Sequence, residues 1–336
     1  MNFQQVQKMH YANTSEVPLS MAVFLATDNY DYVDDPNYIS VTSLIKPLRQ
    51  LILASRVPKE AALPDLGSMI ASRMGQALHD AIERAWKENY KNAMTALGLP
   101  KRVIEKIQIN PDPSELTPDS IPIYLEQRKS KQVGKWRIGG KFDFVGDGRV
   151  EDFKSTSVYS AINKSKDDDY TWQGSLYRWI NPEIITRDEM AIQFIFTDWS
   201  SAKAKADPSY PQKRIAERVL KLKSIAETEA FVKRKLALIE KYWDAPENEI
   251  PECTDEELWR SDPYYKYYKN PEKVGGRSTK NFDIKQEAYA RHAEDGHKGV
   301  VIEVPGYVTA CKYCPGFMAC SQKDRLIASG DLTIST

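Results

Sequence analysis

The sequence has no net charge: 47 lysines and arginines balance 47 aspartates and glutamates. That excludes a global basic signature, so any contact with nucleic acid has to come from local patches. No run of about 18 apolar residues occurs, so no membrane-spanning helix and no membrane partner are expected. The opening residues, MNFQQVQKMHYANTSEV, lack the basic start and apolar core of a secretory signal, and a cytoplasmic location is the expectation. Cysteine is scarce. There are four, Cys253, Cys311, Cys314 and Cys320, all in the last third. In a reducing compartment such clustering favours metal or cluster ligation over disulfides. The rest, 28% charged and 41% hydrophobic over 336 residues, is ordinary for a soluble globular protein of one large domain or two smaller ones.

The chain is organised around the stretch GGKFDFVGDGRVEDFKSTS, residues 139–157. Two alternating runs, Lys141–Val145 and Arg149–Phe153, flank Gly146-Asp147-Gly148, and Asp-Gly between apolar runs predicts a β-hairpin. One strand carries Asp143; the other carries Glu151, Asp152 and Lys154. Alternation puts Asp152 and Lys154 on one face. Carboxylates on neighbouring strands, with a lysine two residues on, suit Mg²⁺ or Mn²⁺ and a charge that stabilises or positions a water. The plain alternative is an exposed hairpin with charges on its wet face.

Residues 1–40 read as a polar surface arm with at most a short strand. The spacing predicts one helix over Ser43–Ser55 and a long one over Leu66–Leu97. The second carries His79 and Glu83 on one face; His79 alone reads as a partly buried helix histidine, and Glu83 can pair with Lys87. Residues 98–120 are Pro-rich and loop-like. Strands are predicted over Ile121–Glu126 and Lys135–Val145, with a basic loop, Arg128–Lys135, able to contact phosphates. Asp167, Asp168 and Asp169 open a helix with favourable charge for its dipole, and that helix carries Gln173 and Tyr177 four apart. Met190–Phe196 reads as a buried strand, 212–243 as one long basic helix, Ile284–Asp295 as a helix and Gly299–Val304 as a strand. The tail, Ile327–Thr336, reads as loose.

In this order the residues resemble the PD-(D/E)XK nuclease superfamily, with Asp143 as the lone first-strand acid and Asp152-Phe153-Lys154 as the (D/E)XK triplet. Gly75-x-x-x-His79 resembles the helix before the hairpin in the RecB-like branch, and Gln173-x-x-x-Tyr177 resembles the motif after it. The resemblance implies an α/β fold with an αβββαβ core, a mixed central sheet flanked by helices. It implies Asp143, Asp152, the Phe153 carbonyl and His79 as ligands of Mg²⁺ or Mn²⁺. Lys154 would orient a water or neutralise charge, Gln173 would hold Lys154 or a phosphate, and Tyr177 would contact DNA. Glu83 and Glu151 are secondary candidates.

Cys311-x₂-Cys314-x₅-Cys320, with Cys253 upstream, resembles the iron–sulfur arrangement of AddB-type nucleases and CRISPR-associated RecB-like exonucleases. In those families the lone cysteine precedes the nuclease core; here it follows. Four thiolates suit a [4Fe–4S] cluster or a structural Zn²⁺, with free thiols as the remaining reading. The expected organisation is an arm over 1–40, a nuclease core over 41–245, a Cys₄ segment over 246–325 and a flexible tail over 326–336. The expected function is metal-dependent DNA hydrolysis, read as exonucleolytic with an endonuclease mode left open. Its setting would be recombination, repair or phage DNA metabolism, in a bacterial cell or a phage-infected host. DNA, single- or double-stranded, is the expected partner, and a helicase or recombination protein would be a further one. Two other readings stand beside it: a catalytically idle DNA-binding or helicase-partner subunit, and a Cys₄ zinc or redox protein.

Overall fold

The computed structural model describes residues 11–28, 30–58 and 63–334. The elements run α1 (Leu19–Ala26), β1 (Tyr38–Ser40), α2 (Val41–Ile45), α3 (Leu48–Ala54), α4 (Ile70–Arg84), α5 (Tyr90–Ala96), α6 (Lys101–Ile104), β2 (Ile107–Ile109), β3 (Ile121–Val133), β4 (Trp136–Gly146) and β5 (Arg149–Thr156). They continue with α7 (Val158–Ile162), α8 (Asp167–Ile180), β6 (Glu189–Phe196), α9 (Ser201–Ala206), β7 (Ile215–Lys221), α10 (Ile225–Tyr242), β8 (Tyr264–Tyr268), β9 (Lys280–Phe282), α11 (Lys285–Glu294), β10 (Val300–Val304) and α12 (Ser321–Ala328). Two compact units result: Met1–Ile45 with Lys59–Leu236, and Lys46–Pro58 with Ala237–Thr336.

The first unit is mixed α/β. Its sheet has the order β2-β3-β4-β5-β6-β7, with β1 beside β4. The pairs β2–β3, β5–β6 and β1–β4 are parallel; β3–β4, β4–β5 and β6–β7 are antiparallel. The hairpin turns at Asp147 (φ 49°) and Gly148 (φ 74°), the double positive φ that Asp-Gly supports. Apolar residues of β4, β5 and β6, among them Ile138, Phe142, Val150 and Ile192, are fully buried. Helix α8 comes so close to β6 that a Cβ on Gly174 would lie 2.5 Å from Met190 Sδ. The second unit carries a three-stranded antiparallel sheet, order β10-β8-β9, in which Tyr265, Tyr267 and Phe282 pack with Ala288 of α11.

Several elements differ from expectation. The helix over Ser43–Ser55 is broken into α2 and α3 at Pro47, which disfavours helical geometry in the residue before it. The single basic helix over 212–243 is strand β7 followed by α10: the alternating exposure of Ile215–Lys221 has the two-residue period of a strand. Its basic residues therefore do not form one row, and Arg218 Nη1 meets Asp167 at 2.6 Å. The basic loop over Arg128–Lys135 is the end of a long hairpin, turning at Gly134 and Lys135 between Val133 and Trp136. The N-terminal arm contains helix α1, and the Pro-rich stretch contains α6 and β2. The tail is anchored: Leu332 is buried with Leu258, Val308 and Leu326. Residues 335–336, and the first ten of the arm, lie outside the described residues.

Candidate metal centre

On one edge, β4 pairs with β1 over Arg137–Gly139 and with β5 over Phe144–Gly146. Between these, residues 140–143 lie in a gap, because β5 has turned away to follow β6 from Val150 to Thr156. Backbone groups released from a sheet need other partners. The Tyr177 hydroxyl donates to Lys141 O at 3.0 Å, and Phe153 N–H donates to Asp143 Oδ2 at 3.0 Å. His79, Asp143, Asp152 and Lys154 lie about this gap.

Asp143 lies across from Glu126 of β3, between the pairs Leu125–Phe144 and Gln127–Phe142. Two carboxylates directly opposite one another repel. Glu126 also has φ 50°, a left-handed backbone inside a strand that costs on the order of 1–3 kcal/mol. Positive groups surround the pair. His79 Nδ1, from α4, is 3.4 Å from Asp143 Oδ1 and 3.7 Å from Glu126 Oε1, and Lys141 Nζ is 2.5 Å from Glu126 Oε2. The second ring nitrogen, Nε2, donates to the Phe153 carbonyl at 3.0 Å. Burial works against the imidazolium, but Asp143, Glu126 and the Phe153 carbonyl outweigh it and raise His79 to about 10. Ligand atoms of His79, Glu126 and Asp143 all lie within 4.8 Å of one another.

Asp152, on β5, is 2% exposed. Its Oδ1 accepts from Gln173 Nε2 at 2.9 Å. Its Oδ2 faces Lys154 Nζ at 2.5 Å and accepts no aligned hydrogen bond. Burial pushes the Asp152 carboxyl up, against the pull of Lys154. Burial works to lower Lys154, and Asp152 and Asp143 hold it above the usual lysine value. Gln173 Nε2 also lies 3.2 Å from the Tyr177 hydroxyl, so α8 braces Asp152 from behind. Residues Gly75, Gln76 and His79 of α4 and Phe153, Lys154 and Ser155 of β5 line an open cleft of about 300 Å³.

The other candidates lie differently. Gln173 holds Asp152, not Lys154. Tyr177, read as a DNA contact, is buried with its hydroxyl engaged. Glu83 pairs with Lys87 at 2.5 Å. Glu151 points away from Asp152 by strand alternation and meets Arg149 at 2.6 Å and Gln193 at 2.9 Å. The basic hairpin is internally partnered: Lys129 with Glu183 at 2.6 Å, Lys131 over the Trp179 ring and Arg137 with Asp35 at 2.8 Å. Glu126 was marked by no local motif. Counting back from the turn at Gly134 and Lys135 places it opposite Asp143.

In the second unit, Cys253, Cys311, Cys314 and Cys320 are unbridged and half-buried. Burial raises Cys253 to about 12 and Cys311 to about 11, and neighbouring cysteines add to both. Gln322 brackets Cys253, accepting from its N–H and donating to its carbonyl, both at 2.9 Å. Arg49 Nε donates to Cys320 Sγ at 3.2 Å. Among the described residues no three cysteine sulfurs come within 4.8 Å of one another. A tetrahedral zinc site, with Zn–S near 2.3 Å, would set them about 3.8 Å apart.

No protein-family profile matches the chain, and no curated protein matches it by sequence. Among solved structures, the protein designated SSO0001 is similar at 16% identity, over 65% of this chain and 84% of that one, with a TM-score of 0.39. A phage-related exonuclease from Haemophilus somnus 129PT is similar at 18% identity, over 62% of this chain and 93% of that one, with a TM-score of 0.28. Likenesses this distant carry no weight for the chemistry, which rests on the side chains themselves.

Proposed function

We propose that the chain is a metal-dependent DNA nuclease with a PD-(D/E)XK core of the RecB-like kind, acting as an exonuclease. The observation that carries this reading is the convergence of Glu126 and Asp143 on Nδ1 of His79, whose other ring nitrogen is held by the Phe153 carbonyl, beside the buried Asp152–Lys154 pair. The donor set fits a hard divalent cation: carboxylates and an imidazole, with opposed acids that His79 and Lys141 neutralise in the free chain and a buried Asp152 oxygen whose one contact is the Lys154 ammonium. Asp143, Glu126 and His79, with Asp152 beside them, are the residues that would hold Mg²⁺ or Mn²⁺; the Phe153 carbonyl, hydrogen-bonded to Nε2 of His79, would join them only if the imidazole turned away. Such an ion supplies Lewis-acid polarisation of a phosphate oxygen and a water of lowered pKa. Lys154 lines the cleft and holds a proton-bearing cation where charge develops on the phosphate. Gln173 keeps Asp152 in orientation, and Tyr177 caps Lys141 O.

For the cysteines we propose a [4Fe–4S] cluster. The support is the spacing Cys311-x₂-Cys314-x₅-Cys320 with Cys253 upstream, four thiolates being the ligand number such a cluster takes. DNA as substrate, and a role in recombination, repair or phage DNA metabolism beside a helicase or recombination protein, follow from the same reading.

The test is cleavage of end-labelled single- and double-stranded DNA with Mg²⁺ or Mn²⁺, using protein purified without oxygen. Wild type should cleave and Lys154→Ala should lose at least a hundredfold in rate, about 2.7 kcal/mol of transition-state stabilisation. Equal activity in both, or none in either, would reject the reading in favour of a binding subunit.

A further inference from the structure

Arg128 of β3 pairs across to Lys141, two residues from Asp143 on β4, so it belongs to the same face one step along the strands, about 7 Å away. That step is comparable to the spacing of successive phosphates on an extended nucleic-acid strand. The guanidinium is oriented but incompletely satisfied. Nη2 donates to Asp31 O at 2.6 Å and Nη1 to the Tyr38 hydroxyl at 3.3 Å, while Nε is buried and makes no aligned hydrogen bond. The anion nearest Nε is the Asp31 carboxylate at 3.5 Å, and that side chain is 85% exposed. A pair at this distance whose carboxylate lies in solvent is weak and gives way to a better acceptor.

Beside the guanidinium stand two tyrosines. The Tyr30 ring centre is 5.5 Å from Arg128 Cζ, and the Tyr32 ring meets Tyr30 edge-on at 4.8 Å. Both residues are exposed, Tyr30 at 44% and Tyr32 at 67%. They are fixed relative to the metal centre: the Tyr32 hydroxyl donates to Asp28 at 2.9 Å, and Asp28 accepts at 3.3 Å from Arg73 of α4, the helix that carries His79.

We propose that Arg128, Tyr30 and Tyr32 form a subsite for the nucleotide next to the bond that is cut. Arg128 takes that nucleotide's phosphate and the tyrosine pair takes its base, with Asp31 as the stand-in anion of the free chain. Aromatic faces can stack only on a base that is out of its duplex, so the substrate class is an unpaired strand or a frayed end. The inference rests on the nuclease reading for the word "cut" but not for binding. Asp31 repels an incoming phosphate, so its removal should strengthen binding.

The test is fluorescence anisotropy of a labelled ten-nucleotide oligothymidylate and of a matching duplex, in Ca²⁺, read alongside cleavage in Mn²⁺. Asp31→Asn should tighten single-strand binding about threefold. Arg128→Gln should weaken it about tenfold and lower the slope of log affinity against log salt by about 0.7, which a merely structural role would not do. Tyr32→Ala should weaken single-strand binding about fivefold and leave the duplex unchanged. Asp31→Asn and Tyr32→Ala alter exposed side chains, so they decide the matter even if Arg128→Gln does not fold. Unchanged single-strand affinity in both would overturn the subsite. Cleavage by wild type with unchanged binding in the variants would reject the subsite and keep the nuclease. The expected binding pattern without cleavage would do the reverse.

Discussion

Replacing Gln173 by leucine should unsettle the candidate site from the side away from the cleft. The Gln173 amide is the donor on Asp152 Oδ1, at 2.9 Å, while Oδ2 has the Lys154 ion contact alone. Leucine keeps the approximate volume and removes the donor, leaving a nearly fully buried carboxylate with one partner in place of two. A hydrogen bond to a charged group contributes about 1.5–3 kcal/mol, so a cost of about 2 kcal/mol is expected in metal-free protein. For a unit of this size that lowers the melting temperature by roughly 4–8 °C. The assay is urea unfolding in EDTA, with Gln173→Leu measured in wild-type and Asp152→Ala backgrounds. The two changes should couple by about 1–2 kcal/mol, because the donor has nothing to serve once the carboxylate is gone. A cost below about 0.5 kcal/mol, or the same cost in both backgrounds, would refute the bracing role.

Other consequences follow from the same geometry. A Cβ on Gly140 would lie 2.7 Å from Tyr177 Cε1 and 3.0 Å from Val41 Cγ2, so Gly140→Val should cost about 1–3 kcal/mol in thermal melts and displace the Tyr177 cap on Lys141. Saturating Mn²⁺, at a hundred times its Kd, should stabilise wild type by about 2.7 kcal/mol. Glu126→Gln should cut that gain by at least half, and an undiminished gain would remove Glu126 from the ligand set. Arg49 is buried, pairs with Glu247 and donates to Ile250 O at 2.8 Å. Arg49→Met should therefore destabilise the second unit by about 3 kcal/mol, with part recovered in Arg49→Met/Glu247→Leu. Denaturant unfolding of the single and double variants checks this.

What could be seen in the sequence was what short-range chemistry dictates. Asp147 and Gly148 carry their turn geometry locally, and the Asp167–Asp169 start of α8 follows from charge at a helix end. The hairpin that carries Asp143, Asp152 and Lys154 is a local unit, whereas the approach of His79 to Asp143 joins residues far apart in the chain. What stayed hidden depends on pairing at a distance. The place of Glu126 comes from the register of β3 on β4 and from a positive φ that its residue type does not announce. The strand character of Ile215–Lys221 comes from the free edge of β6, against charges that also fit a helix face. Tyr177 reads as a surface hydroxyl until β5 leaves β4 and Lys141 O needs a donor.

If these side chains form one metal centre, a divalent cation occupies the gap beside residues 140–143. Anomalous scattering from Mn²⁺ in crystals of the full chain tests it most directly. A peak is expected within coordination distance of Asp143 and of Glu126 or His79, abolished in Asp143→Ala. Ordered Mn²⁺ elsewhere, with none at this gap, would contradict it.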